Sequence, residues 1–185
     1  REMGCEILQY ETAGDDRDKI ADKISEVLKE ADLILTTGGV SVGDKDLVPD
    51  VIESLNGRVL FHGIRVKPGM PTMLSMVKGT RVLSLSGNPF AVEALFEVLA
   101  GGYLTDMEAS RYLQKNQMKA LKQTFVKTGK MKRIVKGRCD ESGVYLPQIQ
   151  KNGQLKNGIG SNCLVIFPEG ERTYAEGEVV RVIRI

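Results

Sequence analysis

The feature that most constrains the fold of this chain is an apolar stretch that runs directly into a glycine-rich turn. Leu33, Ile34 and Leu35 predict a buried β-strand, and Gly38 and Gly39 follow it closely. Glycines placed after a strand allow positive φ and let a ligand approach the backbone. Backbone N–H groups in such a turn form a concave site for a phosphate-like anion. The pattern therefore predicts a site for an oxyanion or a phosphorylated ligand at the end of a sheet strand.

Two carboxylates follow this turn one residue apart. Asp44 and Asp46 supply the oxygen ligands that a hard cation prefers. The alternative is that Asp44 only caps the helix that begins near Asp46. Asp46 itself is predicted to lie inside the first turn of that helix, where the helix dipole favours its carboxylate. A capping role for Asp44 does not explain why two glycines precede it. We therefore predict a metal site beside the anion site.

Two more glycine turns follow predicted strands. The segment Lys67–Pro71 places a lysine at a strand end, and Ser86–Pro89 opens a helix with Asn88 as its cap and Pro89 as its first residue. Each turn alone is also compatible with an ordinary turn or a well-capped helix. Ligands of open α/β sheets bind outside the carboxyl ends of the strands, and helix N-termini attract anions. We therefore expect the three turns to converge on one edge of a sheet.

Strands and helices alternate over residues 1–102, which predicts an α/β fold with a parallel sheet. Helices are predicted over Asp15–Glu30, Leu47–Leu55 and from Asn88 to Gly101, and strands over Cys5–Tyr10, Asp32–Thr37, Arg58–Val66, Thr72–Val77 and Arg81–Ser86. The last two strands form a hairpin around Lys78-Gly79-Thr80 or lie as neighbours.

The pattern changes after about residue 118 to short strands separated by turns, which predicts a small all-β domain, a barrel or a sandwich. These strands are Thr124–Lys127, Lys132–Arg138, Val144–Ile149, Cys163–Phe167 and Val179–Ile185. The net charge also reverses, from −7 over residues 1–108 to +9 over residues 109–185. We predict an α/β domain at 1–106, a partly helical linker at 107–119 and a β-barrel-like domain at 120–185.

The composition excludes several classes of protein. No apolar run approaches the ~18 residues of a membrane span, and no signal peptide is recognisable. The three cysteines form no zinc motif or disulfide framework, which fits a reducing compartment, and we predict the cytoplasm. The basic half is interpreted as a solvated face rather than a nucleic-acid site. His62, the single histidine, is predicted to be a packed or surface residue and not a base.

The order and spacing of the three motifs resemble those of the molybdopterin molybdenumtransferases, the MoeA family. Related adenylyltransferases carry Thr-Gly-Gly-Thr-Gly after the same strand, whereas Val40–Gly43 sides with the transferases. The segments Phe167–Gly170 and Ala175–Val180 resemble the end of the family's last β domain. The resemblance covers essentially the whole chain.

This resemblance implies an enzyme of molybdenum cofactor biosynthesis. It inserts molybdenum from molybdate into adenylylated molybdopterin, with release of AMP and with Mg²⁺ as cofactor. By motif position, the catalytic residues are Asp46, Lys67 and Asp15, and the metal ligands are Asp46 and Asp44. The implied ligand-binding residues are Gly38, Gly39, Ser41, Gly43, Pro68, Gly69, Gly87, Asn88 and Pro89. The family also implies a homodimer, with no nucleic acid or membrane as partner.

The sequence departs from the family pattern in identifiable places. The family's first sheet strand, with its Thr-Gly-Asp-Glu loop, and two preceding domains are not found, so we expect a C-terminal part of a longer enzyme that is inactive alone. Met70 stands where some members have Lys, and Ser86 where Pro is frequent. Two alternatives stay open, a non-catalytic pterin- or nucleotide-binding or scaffold module, and an adenylyltransferase. The paired acids and Lys67 favour the transferase.

Overall fold

A computed structural model describes residues 5–41, 46–100, 115–147 and 160–185. The chain divides into two compact units. The first comprises Arg1–Ile64 and Gly69–Val92, and the second comprises Arg65–Pro68 and Glu93–Ile185. The domain boundaries near residues 106 and 120 stay predictions.

The first unit is built on a four-stranded sheet in the order β1-β5-β4-β2. Its strands are β1 (Leu33–Thr37), β2 (Arg58–His62), β4 (Met73–Val77) and β5 (Thr80–Leu85), and its helices are α1 (Arg17–Val27), α2 (Val48–Ser54) and the start of α3 (Pro89–Leu95). A π-helical turn, Phe96–Ala100, continues α3. The α/β class is confirmed, and β1 lies parallel to β5. The other two pairs are antiparallel, so the sheet is mixed.

The hairpin β4–β5 explains the antiparallel part of this sheet. Its two loop residues, Lys78 and Gly79, have φ of 48° and 93°. Positive φ at both positions is the requirement of a type I′ turn, which matches the twist of the flanking strands. The predicted hairpin is therefore confirmed.

One face of this sheet carries the core of the unit. Residues of α1 and α2 pack there against sheet residues: Ile24, Leu28, Val48, Val51, Ile52, Met73, Val77 and Val82. The end of α2 follows the predicted stop signal, since Asn56 has φ of 55° and Gly57 N donates to Ile52 O at 2.8 Å.

Two local predictions for this unit were wrong. Cys5–Tyr10 is not a strand, because it pairs with no strand in the described ranges and Tyr10 is 93% exposed. The helix α2 begins at Val48, so Asp46 precedes it instead of lying in its first turn. Leu47 is its N-cap, because Val48 N already donates to Gly39 O at 2.9 Å and Pro49 suits the first turn.

The described residues of the second unit are mainly β-strands, together with the end of α3 and the π-helical turn that continues it. Its main sheet has the order β3-β8-β10-β12-β6, β9 pairs with β8, and β11 pairs with β7. The strands are β3 (Val66–Lys67), β6 (Asn116–Ala120), β7 (Phe125–Lys127), β8 (Lys132–Cys139), β9 (Val144–Tyr145), β10 (Cys163–Phe167), β11 (Arg172–Tyr174) and β12 (Val179–Arg184). Phe167 lies in its core, and the partly buried Phe125 stacks on its ring.

Most of the predicted short strands are present, and the differences are local. Asn116–Ala120 is a strand paired with β12, although a helical linker was expected there. The predicted strand Arg58–Val66 is interrupted at Gly63, whose φ is 92°, and its last residue joins the second unit. In the described part of the chain, no helix is long and apolar enough to cross a membrane.

Candidate ligand site at the carboxyl edge of the first sheet

Two of the three predicted glycine turns lie side by side. Thr37 and Leu85 are partners in the parallel pair β1–β5, so both strands end at the same edge. Gly38 N donates to Leu85 O at 2.9 Å, and a Cβ on Gly87 would lie 3.4 Å from Gly38 Cα. The structure therefore brings together the turns that follow β1 and β5.

The first of these turns, here called the glycine loop (residues 38–41), is fixed at several points. Gly38 and Gly39 have φ of 86° and 62°, a conformation that favours glycine. Gly39 O accepts from Val48 N at 2.9 Å, at the start of α2. Val40 is buried in the core, and its carbonyl contacts His62 Nε2 at 2.7 Å. Ser41, which ends the loop, is partly buried.

Part of the third turn lies at the same edge. Met73, the first residue of β4, is opposite Ser84, so the chain just before it reaches the edge where β5 ends. There Thr72 Oγ1 donates to Gly69 O at 2.7 Å, and Ile64 N donates to Met70 O at 2.9 Å. Gly69 itself is buried.

The other part of the third turn belongs to the second unit. Lys67 is exposed and lies opposite Arg133 in the parallel pair β3–β8. The peptide bond from Lys67 to Pro68 is cis, and Pro68 is buried. The predicted strand-end lysine is therefore present, at the end of a strand of the other sheet.

The turn after β5 caps a helix as predicted. Asn88 Oδ1 accepts from Ala91 N at 3.1 Å, and Asn88 O accepts from Val92 N at 2.9 Å. Pro89 is the first residue of α3, and Gly87 is exposed. The side-chain oxygen of Asn88 is thus already used by the helix.

Of the predicted metal ligands, Asp46 is partly buried, two residues before α2. Asp44 and Gly43 lie outside the described residues. Within the described ranges, no group of three His, Cys, Asp or Glu side chains could hold a metal ion. Two carboxylates completed by substrate phosphates and waters are nevertheless a usual donor set for Mg²⁺. The residue types therefore fit this ion.

The helix α1 starts on the same side of the unit as the glycine loop. At its end, Leu28 O accepts from Thr80 Oγ1 at 2.7 Å, and Thr80 begins β5, so α1 begins toward the edge where β5 ends. The first turn of α1 contacts that of α2 through Arg17 Nη2, which donates to Asp50 O at 3.2 Å. Asp15 is exposed just before this helix.

The cap of α1 is Asp16. Its carboxylate accepts from Lys19 N, and this bond, with the Lys19 side chain, holds the pKa of Asp16 below its ordinary value. Asp15, a predicted catalytic residue, is therefore not used as the cap.

Sequence reasoning missed two polar features near this edge. His62 is exposed, in line with the prediction of a packed or surface residue, and no sequence pattern indicated that its ring contacts the glycine loop. Thr36 and Ser84 are partners in β1 and β5, and their buried hydroxyl oxygens have no hydrogen-bond partner in the described structure. The sequence did contain a signal for this pair, because each of the two apolar strands has a polar residue near its end.

Residues 1–106 match the family described as "probable molybdopterin binding domain". The chain belongs to this family. The family match spans the described parts of both glycine turns and of α1 to α3, so the candidate site lies within it. This match confirms, for the molybdopterin-binding domain, the family membership that the three motifs predicted.

Curated relatives extend this likeness over nearly the whole chain. A molybdopterin molybdenumtransferase of Staphylococcus aureus is 30% identical over 98% of this chain and 44% of its own length. One of Staphylococcus epidermidis is 27% identical over 99% of this chain and 45% of its own length. The chain therefore spans less than half the length of these relatives.

Solved structures agree with these relatives. The crystal structure of a molybdopterin biosynthesis MoeA protein from Pyrococcus horikoshii has a TM-score of 0.74 and 26% sequence identity, covering 92% of this chain and 41% of that protein. A molybdenum cofactor biosynthesis protein from Pyrococcus furiosus shares the fold at a TM-score of 0.69. The fold and the MoeA resemblance are thus supported independently of the motifs.

Proposed function

We propose that this chain supplies the molybdopterin-binding part of a molybdopterin molybdenumtransferase. The activity of the whole protein would be the insertion of molybdenum from molybdate into adenylylated molybdopterin, with release of AMP. The observation that carries the proposal is the pairing of the glycine turns after β1 and β5, where Gly38 N contacts Leu85 O. Such an edge is where ligands of open α/β sheets bind.

The backbone of the two turns would bind the anionic part of the ligand. Gly39 and Ser41 would offer backbone N–H groups to phosphate oxygens, as in other anion-binding nests. The N–H of Gly38 already donates to Leu85 O, so Gly38 would instead give the turn its shape, and Gly43 stays a predicted ligand-binding residue. The N-terminal end of α3, with Gly87, Asn88 and Pro89, adds a favourable dipole. Gly69 would border the same ligand, and Pro68 stays a predicted ligand-binding residue.

Lys67 would supply a positive charge for molybdate or phosphate. Its side chain is exposed, and an ammonium group acts as a point charge on such oxyanions. Met70, at 52% exposure, contributes none. In this proposal Lys67 is therefore the cation of the Lys67–Pro71 turn.

Asp46 and Asp44 would hold Mg²⁺, with Asp15 as a further carboxylate at the same side of the unit. When bound, this ion neutralises charge on the phosphoanhydride that is cleaved. An ionised carboxylate placed beside phosphate oxygens would otherwise repel them. The role of Asp46 is therefore to bind the cation and not to act as a lone base.

The remaining expectations are also proposals. The protein would act in the cytoplasm, which suits its cysteines, since Cys139 and Cys163 form no disulfide. It would work as a homodimer on small-molecule ligands, the pterin and molybdate, and not on nucleic acid.

Equilibrium titration with molybdopterin and with adenylylated molybdopterin tests the proposal. We expect the chain to bind both, and Mg²⁺ to raise its affinity for the adenylylated form. Asp46→Asn should bind without responding to Mg²⁺, whereas Asp50→Asn, a nearby exposed acid in α2, should respond normally. No binding by the unmodified chain would refute the function, and a normal Mg²⁺ response of Asp46→Asn would refute the metal assignment alone.

A further inference from the structure

One side chain holds the glycine loop from a strand that is not adjacent to β1. His62 ends β2, at the opposite side of the sheet from β1, and its Nε2 lies 2.7 Å from Val40 O. A carbonyl oxygen only accepts hydrogen bonds, so Nε2 carries the proton in this contact. The imidazole therefore donates to the backbone of the loop that the proposed function assigns to the anion.

A β-bulge gives His62 this orientation. Val59 pairs with Ser75 and Phe61 with Leu74, so Leu60 is an extra residue in β2. His62 consequently lies opposite Met73, whose side chain is in the core with Val40. Residues opposite each other in an antiparallel pair point to the same face of the sheet.

Without the extra residue, the register would shift by one and His62 would point to the other face. Bulges are over-represented beside functional sites, where they re-aim a side chain. The irregularity in β2 thus has a local consequence, which is to place an imidazole donor on the side of the sheet where the glycine loop lies.

The chain after His62 is bonded to the second loop of the candidate site. Gly63 N donates to Thr72 O at 2.8 Å, and Ile64 N donates to Met70 O at 2.9 Å. One short segment therefore contacts the glycine loop through a side chain and the Gly69–Pro71 turn through its backbone. Such a segment couples the positions of the two loops.

We propose that His62 is a positioning residue that fixes the glycine loop for ligand binding. It acts through Val40, and the ligand role rests on the proposed function above. His62 is an exposed residue whose hydrogen bond to Val40 O is only partly buried, so it contributes little to the core. Its removal should consequently loosen the loop without unfolding the unit.

Three variants of the whole chain test this proposal. His62→Phe keeps a planar ring but removes the donor, His62→Gln keeps an N–H donor, and Arg58→Gln changes an exposed residue at the other end of β2. The first readout is hydrogen exchange of the Gly38 and Val48 amides, which are bonded to Leu85 O and Gly39 O. The second is affinity for molybdopterin, and the third is the urea midpoint of unfolding.

We expect His62→Phe to raise the exchange of both amides and to weaken molybdopterin binding, each about tenfold, the size of one lost hydrogen bond. The urea midpoint should stay close to that of the unmodified chain. His62→Gln should keep most of the slow amide exchange and most of the molybdopterin affinity of the unmodified chain. Arg58→Gln should change neither the exchange nor the affinity.

Wild-type exchange rates in His62→Phe would overturn the proposal, as would an exchange increase that is matched by a general loss of stability. If the unmodified chain does not bind molybdopterin, the proposed function fails. The exchange measurement still decides whether His62 positions the loop.

Discussion

Both its backbone conformation and its packing disfavour a side chain at Gly39. Its φ is 62°, and a Cβ placed on it would lie 3.3 Å from Val48 Cγ2. Gly14 has a nearly identical φ of 63° but has open space around it. The two residues therefore separate the cost of a left-handed conformation from the cost of crowding the start of α2.

We expect Gly39→Ala to lower the free energy of unfolding by at least about 1–2 kcal/mol, the cost of this conformation for an L-residue. Gly14→Ala should cost less, because only the backbone term applies and an exposed segment relaxes easily. Urea unfolding of both variants measures the difference. Equal losses would show that contact with Val48 does not matter.

Two buried hydroxyls in β5 make a second residue-level contrast. Thr80 Oγ1 donates to Leu28 O at 2.7 Å, whereas Ser84 Oγ is buried and has no hydrogen-bond partner in the described structure. We expect Thr80→Val to cost about 1–2 kcal/mol, and Ser84→Ala to be neutral or stabilising. Thermal unfolding checks both. A clear loss in Ser84→Ala would mean that a buried water satisfies this hydroxyl.

At the scale of elements, the end of α2 depends on the absence of one side chain. A Cβ on Gly57 would lie 2.7 Å from Ile52 Cγ2 and 2.8 Å from Val77 Cγ2. The preceding Asn56 has positive φ, which glycine adopts more readily. Gly57 should therefore be less tolerant of a small substitution than Asn56.

We expect Gly57→Ala to cost about 1–3 kcal/mol through overpacking of the core, and Asn56→Gly to be close to neutral. Chemical denaturation measures the free energy of unfolding of both variants. Circular dichroism spectra like that of the unmodified chain serve as the control for folding. A harmless Gly57→Ala would show that α2 and β4 separate easily at this point.

The same elements show what the sequence could and could not predict. Gly57 and Asn88 mark helix ends through local backbone chemistry, and Lys78-Gly79 marks a hairpin, so these were predictable. The bulge at Leu60 was not, because strand pairing decides it and no local signal reports the partner. Asn116–Ala120 was expected to be partly helical instead of a strand for the same reason.

The candidate site also has some features that the sequence predicted and others that it did not. Its glycine turns were visible as Gly38-Gly39 and Gly87, since strand ends carry a local signature. The contact of His62 with Val40 depends on the register of a strand that is not adjacent to β1. No pattern within a window of the sequence reports such a contact, and for the same reason Lys67 was not expected to pair with a strand of the second sheet.

At the scale of the whole molecule, the reactivity of the cysteines depends on whether the second unit is folded. Cys139 and Cys163 are 2% and 0% exposed, whereas Cys5 in the first unit is partly exposed. Burial and a hydrogen bond with Cys139 raise the pKa of Cys163 to about 12. The thiolate is the reactive form, so Cys163 is protected by both burial and protonation.

We expect a thiol reagent at pH 8 to label Cys5 quickly and the other two cysteines only as the second unit opens. A raised thiol pKa contributes stability that is present below the unfolded value near 9.0 and is lost as the pH rises toward about 12. Labelling should therefore accelerate above pH 9. Rapid labelling of all three thiols at pH 8 would contradict the burial of the pair.

The proposed function requires that molybdopterin binds at the carboxyl edge of the first sheet. Backbone amide NMR of the isotopically labelled chain during titration with molybdopterin tests it most directly. We expect the largest chemical-shift changes at the amides of Gly38, Gly39 and Gly87, whose turns meet at that edge. Saturable binding with unshifted amides at these glycines, or with the largest shifts in the strands β8, β10 and β12, would contradict it.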